Sequence, residues 1–179
     1  MNEVKLSFVK FGLRPPPFTD LLFQADLQNR DTRPHWFLFP LYLSQPSEFG
    51  RFFASAVEIF ELPGKGQLRI ARFLGDGSFQ AMRLLPDAQV RIHELPITFI
   101  GEPPKTEVTV PVILAEQLCI GDQLAEDWFS IDLTSSREAE VTEEPGAIVA
   151  SQDTPGAKPV SVTPSGVRTL GLRIPIEKL

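Results

Sequence analysis

Residues 34–62, PHWFLFPLYLSQPSEFGRFFASAVEIFEL, form the densest apolar stretch of this chain. In a β-strand, successive side chains point to opposite faces. One face of this stretch would carry Phe37, Phe39, Leu41 and Leu43, and the other would carry Trp36, Leu38, Pro40 and Tyr42. A sandwich strand ordinarily has one apolar face and one polar face. A strand with two apolar faces therefore needs two covers.

The first cover is an opposing sheet, and the sequence leaves two alternatives for the second. Either a later part of the chain lies over the strand, or another protein does. Pro40 lacks an N–H group and favours a position at a sheet edge or a bulge. An edge strand with a second apolar face is a candidate docking site for a partner.

Short alternating segments separated by turns predict the fold class. Val4, Leu6 and Phe8 alternate with polar residues, and the same pattern returns at Leu21 to Leu27 and at Val108 to Val112. Seventeen prolines oppose long helices. We therefore predict an all-β fold, an antiparallel Greek-key β-sandwich of immunoglobulin-like type with at most one short helical turn. That turn is predicted at residues 115–118, and a last core strand is predicted around Trp128.

A change in composition near Thr134 predicts the division of the chain. Residues 1–133 form the predicted sandwich core, and residues 134–166 are rich in Ser, Thr, Glu, Pro, Ala and Gly, as in a linker or irregular flap. Residues 167–179 turn apolar again, with strand-like alternation of Leu170, Leu172 and Ile174. This segment either completes its own sandwich or adds to the sheet edge of a neighbour.

Charge and cysteine content narrow the partners and the compartment. The net charge is −6, and residues 101–179 hold thirteen acidic against six basic residues. Bulk negative charge disfavours nucleic acid and anionic membrane as partners. The single cysteine excludes an intrachain disulfide and fits a reducing compartment. With no apolar run of membrane-spanning length and no secretory signal in its first residues, the expected location is cytoplasmic.

The residues that carry chemistry stand apart from one another in this sequence. His35 and His93 have no further ligand at a metal-site spacing, and Cys119 has no basic neighbour to activate it. The acidic pairs Glu126–Asp127 and Glu143–Glu144 are expected on solvated loops. We therefore expect no catalytic site, no cofactor and no metal.

Three further features have both a functional and a structural interpretation. The first is a basic segment that would form either a stripe for an anionic partner or a solvated face with scattered ion pairs; its members are Arg69, Arg72, Arg83 and Arg91. The second is a possible sugar-stacking platform of Trp36, Tyr42 and Trp128. The third is the loop GLRPPPF at residues 12–18, which would be a proline-rich ligand, a protease-inhibiting loop or a stiff connection between strands.

These patterns favour a non-enzymatic protein-interaction module, such as an adaptor, an assembly subunit or a regulatory domain. The expected partner is another protein or a second copy of the chain. The alternative is a sandwich that binds a small molecule or a carbohydrate, or an inhibitor-like module. The predicted contact residues lie on the apolar edge strand and on the C-terminal segment: Trp36, Leu38, Tyr42, Leu170, Leu172 and Ile174.

Overall fold

A computed structural model describes residues 2–43, 53–62, 64–65, 68–75, 77–129, 138–141, 148–153 and 160–176. These residues form strands and one short helix, which confirms the predicted all-β class. The elements in chain order are β1 (Glu3–Gly12), β2 (Phe18–Gln28), β3 (His35–Pro40), β4 (Tyr42–Leu43), β5 (Phe53–Ala54), β6 (Ala56–Leu62), β7 (Gly64–Lys65), β8 (Leu68–Leu74), β9 (Phe79–Leu84), β10 (Gln89–Ile100), β11 (Glu107–Ala115), β12 (Gln117–Ile120), β13 (Gln123–Leu124), α1 (Ala125–Phe129), β14 (Glu138–Val141), β15 (Ile148–Asp153), β16 (Val160–Ser165) and β17 (Arg168–Pro175).

The strands assemble into three sheets. The first sheet has the order β1-β2-β10-β14-β7, with β4 also paired to β10. The central sheet has the order β15-β6-β8-β9-β3-β11-β17, and the third sheet has the order β13-β12-β16-β5. Most pairs are antiparallel, whereas β14 and β4 each run parallel to β10. The Greek-key, immunoglobulin-like connectivity stays a prediction.

The central sheet is buried on both faces at β3, whose side chains are apolar on both sides. Phe37 and Phe39 lie in a first core, between the central sheet and the first sheet. Trp36 and Leu38 lie in a second core, between the central sheet and the third sheet with α1. All four side chains are fully buried. Both covers that the sequence demanded therefore come from the chain itself.

The helix lies elsewhere than the sequence pattern predicts, and of the predicted last core strand only Trp128 is described, since Ile131 and Leu133 lie outside the described residues. Ala115 ends β11, Gln117 and Leu118 begin β12, and the described helix is α1, ten residues further along. Trp128 is on this helix and not on a strand. The reason is the partner sheet: Leu118 and Ile120 alternate into the second core, so tertiary packing fixes this stretch as a strand.

The described parts of residues 134–166, the segment predicted as a linker or flap, contain three strands. They supply β14 to the first sheet, β15 to the central sheet and β16 to the third sheet. Backbone pairing overrides the polar composition here, because a strand that completes a ladder needs few apolar side chains of its own. Among the described side chains of this segment, Val141 is buried in the first core and Val162 in the second, with Val160 packed against the second.

The C-terminal segment folds back onto its own chain. β17 pairs antiparallel with β11 from Glu107↔Pro175 to Leu114↔Arg168. Ile174 and Ile176 are buried in the first core. Of the two alternatives for this segment, the structure shows completion of its own sheet. In the part of the chain that is described, no helix has the length and apolar character needed to cross a membrane.

Candidate functional site

The predicted contact residues do not form one surface. Trp36 and Leu38 are buried in the second core, so neither is accessible to a partner in this fold. Ile174 is buried in the first core. Tyr42 is exposed on β4, in the first sheet, whereas Leu170 and Leu172 are half-buried on β17. The predicted set is therefore divided between two interiors and two separate surfaces.

The possible sugar platform is likewise divided. The indole of Trp36 is buried, and its Nε1 donates a hydrogen bond to Glu126 Oε1 at 3.2 Å. Trp128 packs edge-on against Phe129, with ring centroids 4.9 Å apart. Both rings belong to the second core and its margin, while Tyr42 lies in another sheet. These three side chains do not stack a common ligand.

The basic residues of the middle segment do not align in a stripe. Arg69 and Arg72 are three residues apart on β8 and so point to opposite faces. The Arg72 guanidinium lies 4.5 Å from the centroid of the Phe60 ring. Burial lowers the pKa of Arg72, although the nearby carboxylate of Glu58 acts to raise it.

The other two arginines are engaged in ion pairs on different surfaces. Arg83 Nε lies 3.0 Å from Glu126 Oε1, beside the second core. Arg91 Nε lies 2.6 Å from Asp26 Oδ1, on the first sheet. Scattered ion pairs are therefore what the structure shows at these two positions.

The histidines and the cysteine occupy structural surroundings. His35 is buried, with Nδ1 3.6 Å from Asp31 Oδ2, and burial lowers its pKa despite the opposing charges of Asp31 and Glu116. His93 Nε2 lies 2.8 Å from Glu140 Oε1. Cys119 is half-buried on β12. Among the described residues, no three histidine, cysteine or carboxylate groups cluster as metal ligands would; Glu143 and Glu144 lie outside that part of the chain.

Exposed apolar side chains concentrate at one end of the first sheet. Phe18 on β2 pairs with Ile100 on β10. Two residues further along these strands, Asp20 pairs with Thr98, which in turn pairs with Tyr42 on β4. Phe18, Ile100 and Tyr42 therefore share the outer face, because residues two apart in a strand point the same way. Leu13, fully exposed, stands in the loop beside them. We call Leu13, Phe18, Tyr42 and Ile100 the hairpin-end patch.

Side-chain bonds hold the loop of this patch in place. Arg14 Nη1 donates to Thr98 Oγ1 at 2.8 Å and to Asp20 Oδ1 at 3.2 Å, and Thr98 Oγ1 donates to the same carboxylate oxygen at 2.7 Å. The Arg14 guanidinium also lies 5.2 Å from the centroid of the Phe18 ring. The network ties the loop to both β2 and β10.

Backbone features add to this anchoring. The amide of Phe18 donates to the Pro15 carbonyl at 3.1 Å, and the amide of Gly101 donates to the Pro17 carbonyl at 2.8 Å. Three consecutive prolines fix their own φ angles. A Cβ at Gly12 would lie 3.0 Å from the Cβ of Asp20, so glycine allows the close approach at the strand end. Leu13 is therefore presented from an ordered loop.

A second surface feature is an open cleft of about 940 Å³ where β1 and β17 lie next to each other. These two strands are terminal strands of the first and central sheets. The cleft has a mixed lining of apolar, amide and charged side chains: Asn2, Glu3, Val4, Lys5, Asp26, Leu27, Gln28, Gln89, Val90, Arg91, Glu138, Glu140, Arg168, Leu170 and Leu172.

Ion pairs fix most of the charges around this cleft. Asp26 accepts a hydrogen bond from Arg91. Burial alone would raise the pKa of Asp26, but its hydrogen bonds with Arg91 and Gln24 and the positive charges of Arg91 and Lys5 outweigh this effect. The pKa of Asp26 is therefore lowered. The carboxylate thus stays ionised well into the acidic range. Leu170 and Leu172, two of the predicted contact residues, belong to this cleft and not to the hairpin-end patch.

Sequence reasoning identified the loop at residues 12–18 but not its neighbours. Phe18, Tyr42 and Ile100 come together through register between three strands, and no local pattern reveals that register. The cleft was missed for the same reason, since its walls come from five strands. Comparison with protein-family models, with curated proteins and with solved structures gives no significant match to this chain.

Proposed function

We propose that this protein is a protein-interaction module that binds an apolar segment of a protein partner on the hairpin-end patch. One observation carries the proposal. The described chain exposes seven large apolar side chains. Four of them form this patch: Leu13, Phe18, Tyr42 and Ile100. A fifth, Phe11 on β1, lies at the same end of the first sheet. Scattered exposed apolar residues are ordinary, whereas a group at one site marks an interaction surface.

The anchored loop supports a binding role, because a loop that is already ordered loses little conformational entropy when it binds. A flexible loop must be ordered when it binds, at a cost of about 0.5–1.5 kcal/mol for each immobilised side chain. Here Arg14, Asp20 and Thr98 already order the backbone that carries Leu13. A partner therefore meets a surface close to its bound form, as in an adaptor or in an inhibitor whose loop enters another protein.

The aromatic members supply the anchor. Phe18 and Tyr42 are each between a third and a half exposed, so a partner covering them would remove much apolar area from water. Large aromatic residues dominate the binding energy of many interfaces. The proposal moves the contact away from Trp36 and Leu38, which the fold buries, and keeps Tyr42.

The test compares charged substitutions at two exposed apolar positions. Leu13→Asp lies in the patch, and Val167→Asp lies at an exposed position outside it. Each variant should keep its thermal stability, because neither side chain is packed. In quantitative capture from extract of the native cells, wild type and Val167→Asp should retain the same partners. Leu13→Asp should retain about tenfold less of them, or still less, because a binding hot spot contributes about 2 kcal/mol.

Isothermal titration with the captured partner then gives the affinity directly, and a Phe18→Ser variant should weaken it as well. Light-scattering mass measurement decides whether the partner is a second copy of the chain. The proposal fails if Leu13→Asp and Val167→Asp retain the same proteins with the same affinity.

A further inference from the structure

The inward face of β17 changes steadily from exposed to buried. Arg168, Leu170, Leu172 and Ile174 are spaced two residues apart and therefore share one face. Arg168 is exposed, the two leucines are half-buried, and Ile174 is in the first core. About 13 Å of strand separates Arg168 from Leu172. One strand thus carries a cation at its exposed end and an apolar surface behind it.

The facing wall of the cleft continues this apolar surface. Val4 on β1 is half-buried, and its register neighbours Leu27 and Val90 are buried beside it. Val4, Leu170 and Leu172 all pack against the margin of the first core. An apolar ligand between β1 and β17 would therefore touch aliphatic side chains on both sides.

The charged groups around the cleft differ in what they already contact. Glu3 and Asp26 form ion pairs with Arg30 and Arg91 respectively, and Glu140 Oε1 lies 2.8 Å from His93 Nε2. Glu138 is also engaged.

Arg168 is in a different position. Its guanidinium makes no ion pair or hydrogen bond with any residue in the described ranges, although it lines the cleft beside the leucines. The carboxylates of the cleft thus have partners within the chain, whereas Arg168 has none among the described residues. Lys5, the other such cation of the lining, points to the opposite face of β1 from Val4.

We propose that the cleft binds a small amphipathic carboxylate, with its aliphatic body against Val4, Leu170 and Leu172 and its carboxylate on Arg168. Arginine suits this role because its planar guanidinium donates two parallel hydrogen bonds to a carboxylate. A volume of about 940 Å³ lies within the range of sites that hold small molecules. Binding is non-covalent and independent of the hairpin-end patch.

Titration calorimetry with decanoate and with decanol, both below their aggregation concentrations, tests the proposal on the full chain. The two probes share an aliphatic chain and differ in charge. Wild type should bind decanoate saturably and more tightly than decanol. Arg168→Gln should weaken decanoate about twofold to fivefold, the size expected for one exposed ion pair, and leave decanol unchanged.

Arg173→Gln is the matched control, because Arg173 is on the same strand, on the opposite face, and is paired with Glu107. It should change neither affinity. Leu170→Asn should weaken both probes, and thermal unfolding of each variant confirms that the chain remains folded. The proposal is overturned if decanoate does not bind, if both probes bind equally, or if Arg168→Gln and Arg173→Gln behave alike.

Discussion

Of the two histidines, His35 is the one that the fold buries, and this makes stability depend on pH. Burial lowers its pKa below the ordinary value of about 6.5. Below that value the unfolded chain therefore binds a proton that the folded chain accepts less readily. The contribution to stability is complete above about pH 6.5 and is lost as the pH falls toward the lowered pKa of the folded state.

We expect His35→Gln to reduce the loss of unfolding free energy between about pH 7 and pH 5, whatever its effect at neutral pH. Urea unfolding at both pH values measures this difference. The ring protons of His35, followed by NMR, should titrate at lower pH in the folded protein than in urea. An identical pH dependence in wild type and variant would contradict the expectation.

At the same scale, single residues show what the sequence could predict. The absence of neighbouring ligands around His35 predicted a satisfied or solvent-exposed side chain, and the structure places it, buried, with Nδ1 3.6 Å from Asp31 Oδ2. Leu13 was predicted only as part of a proline-containing loop. Its full exposure depends on Arg14 reaching Thr98, which is 84 residues away, and a contact of that separation leaves no local trace in the sequence.

At the scale of elements, α1 is attached to the central sheet through one carboxylate. Glu126 Oε1 accepts a hydrogen bond from Trp36 Nε1 at 3.2 Å and forms an ion pair with Arg83, whose Nε lies 3.0 Å away. Trp36 and Arg83 are register partners on β3 and β9, so a single side chain on the helix contacts both strands. A helix of five residues is too short to be stable alone, and this contact together with Phe129 keeps it in place.

We expect Glu126→Ala to lower the free energy of unfolding by about 1–3 kcal/mol, because the buried indole N–H would lose its acceptor. Glu126→Gln, which keeps an acceptor oxygen, should cost less. Asp127→Ala is the control on the same helix, since Asp127 is exposed, and should stay within about 0.5 kcal/mol of wild type. Urea unfolding followed by tryptophan fluorescence gives all three values, and equal losses for Glu126→Ala and Asp127→Ala would exclude the anchor.

The sequence predicts the individual strands better than the order in which they lie in the sheets. The alternation in β2 and β11 is local and reflects one buried face, so it is visible in the sequence. The two apolar faces of β3 predicted two covers, and both exist. The sequence could not choose between cover by the chain and cover by a partner, because that choice depends on β5, β12 and β16 meeting from three distant segments.

At the scale of the whole molecule, the last third of the chain belongs to every layer. β14 joins the first sheet, β15 and β17 join the central sheet, and β16 joins the third. Four of their aliphatic side chains are buried in the two cores or at their edge: Val141, Val162, Ile174 and Ile176. Where it is described, the polar segment after Thr134 therefore contains strands that complete sheets, and the boundary near Thr134 stays a prediction.

We therefore expect a chain that ends at residue 133 to be unfolded or aggregated. Each buried valine or isoleucine contributes about 1.5–3 kcal/mol, and four of them approach the 5–15 kcal/mol total stability of a typical domain, before the lost ladders of β14 to β17 are counted. Circular dichroism and light scattering on residues 1–133 test this. Within the full chain, Ile174→Ala should cost about 2–4 kcal/mol, while Val167→Ala, at an exposed position, should cost about 0.5 kcal/mol or less. A truncated chain with the thermal stability and monomeric mass of the full protein would show that residues 1–133 fold independently. It would also show that the pairing of β17 with β11 adds nothing to the stability of the fold.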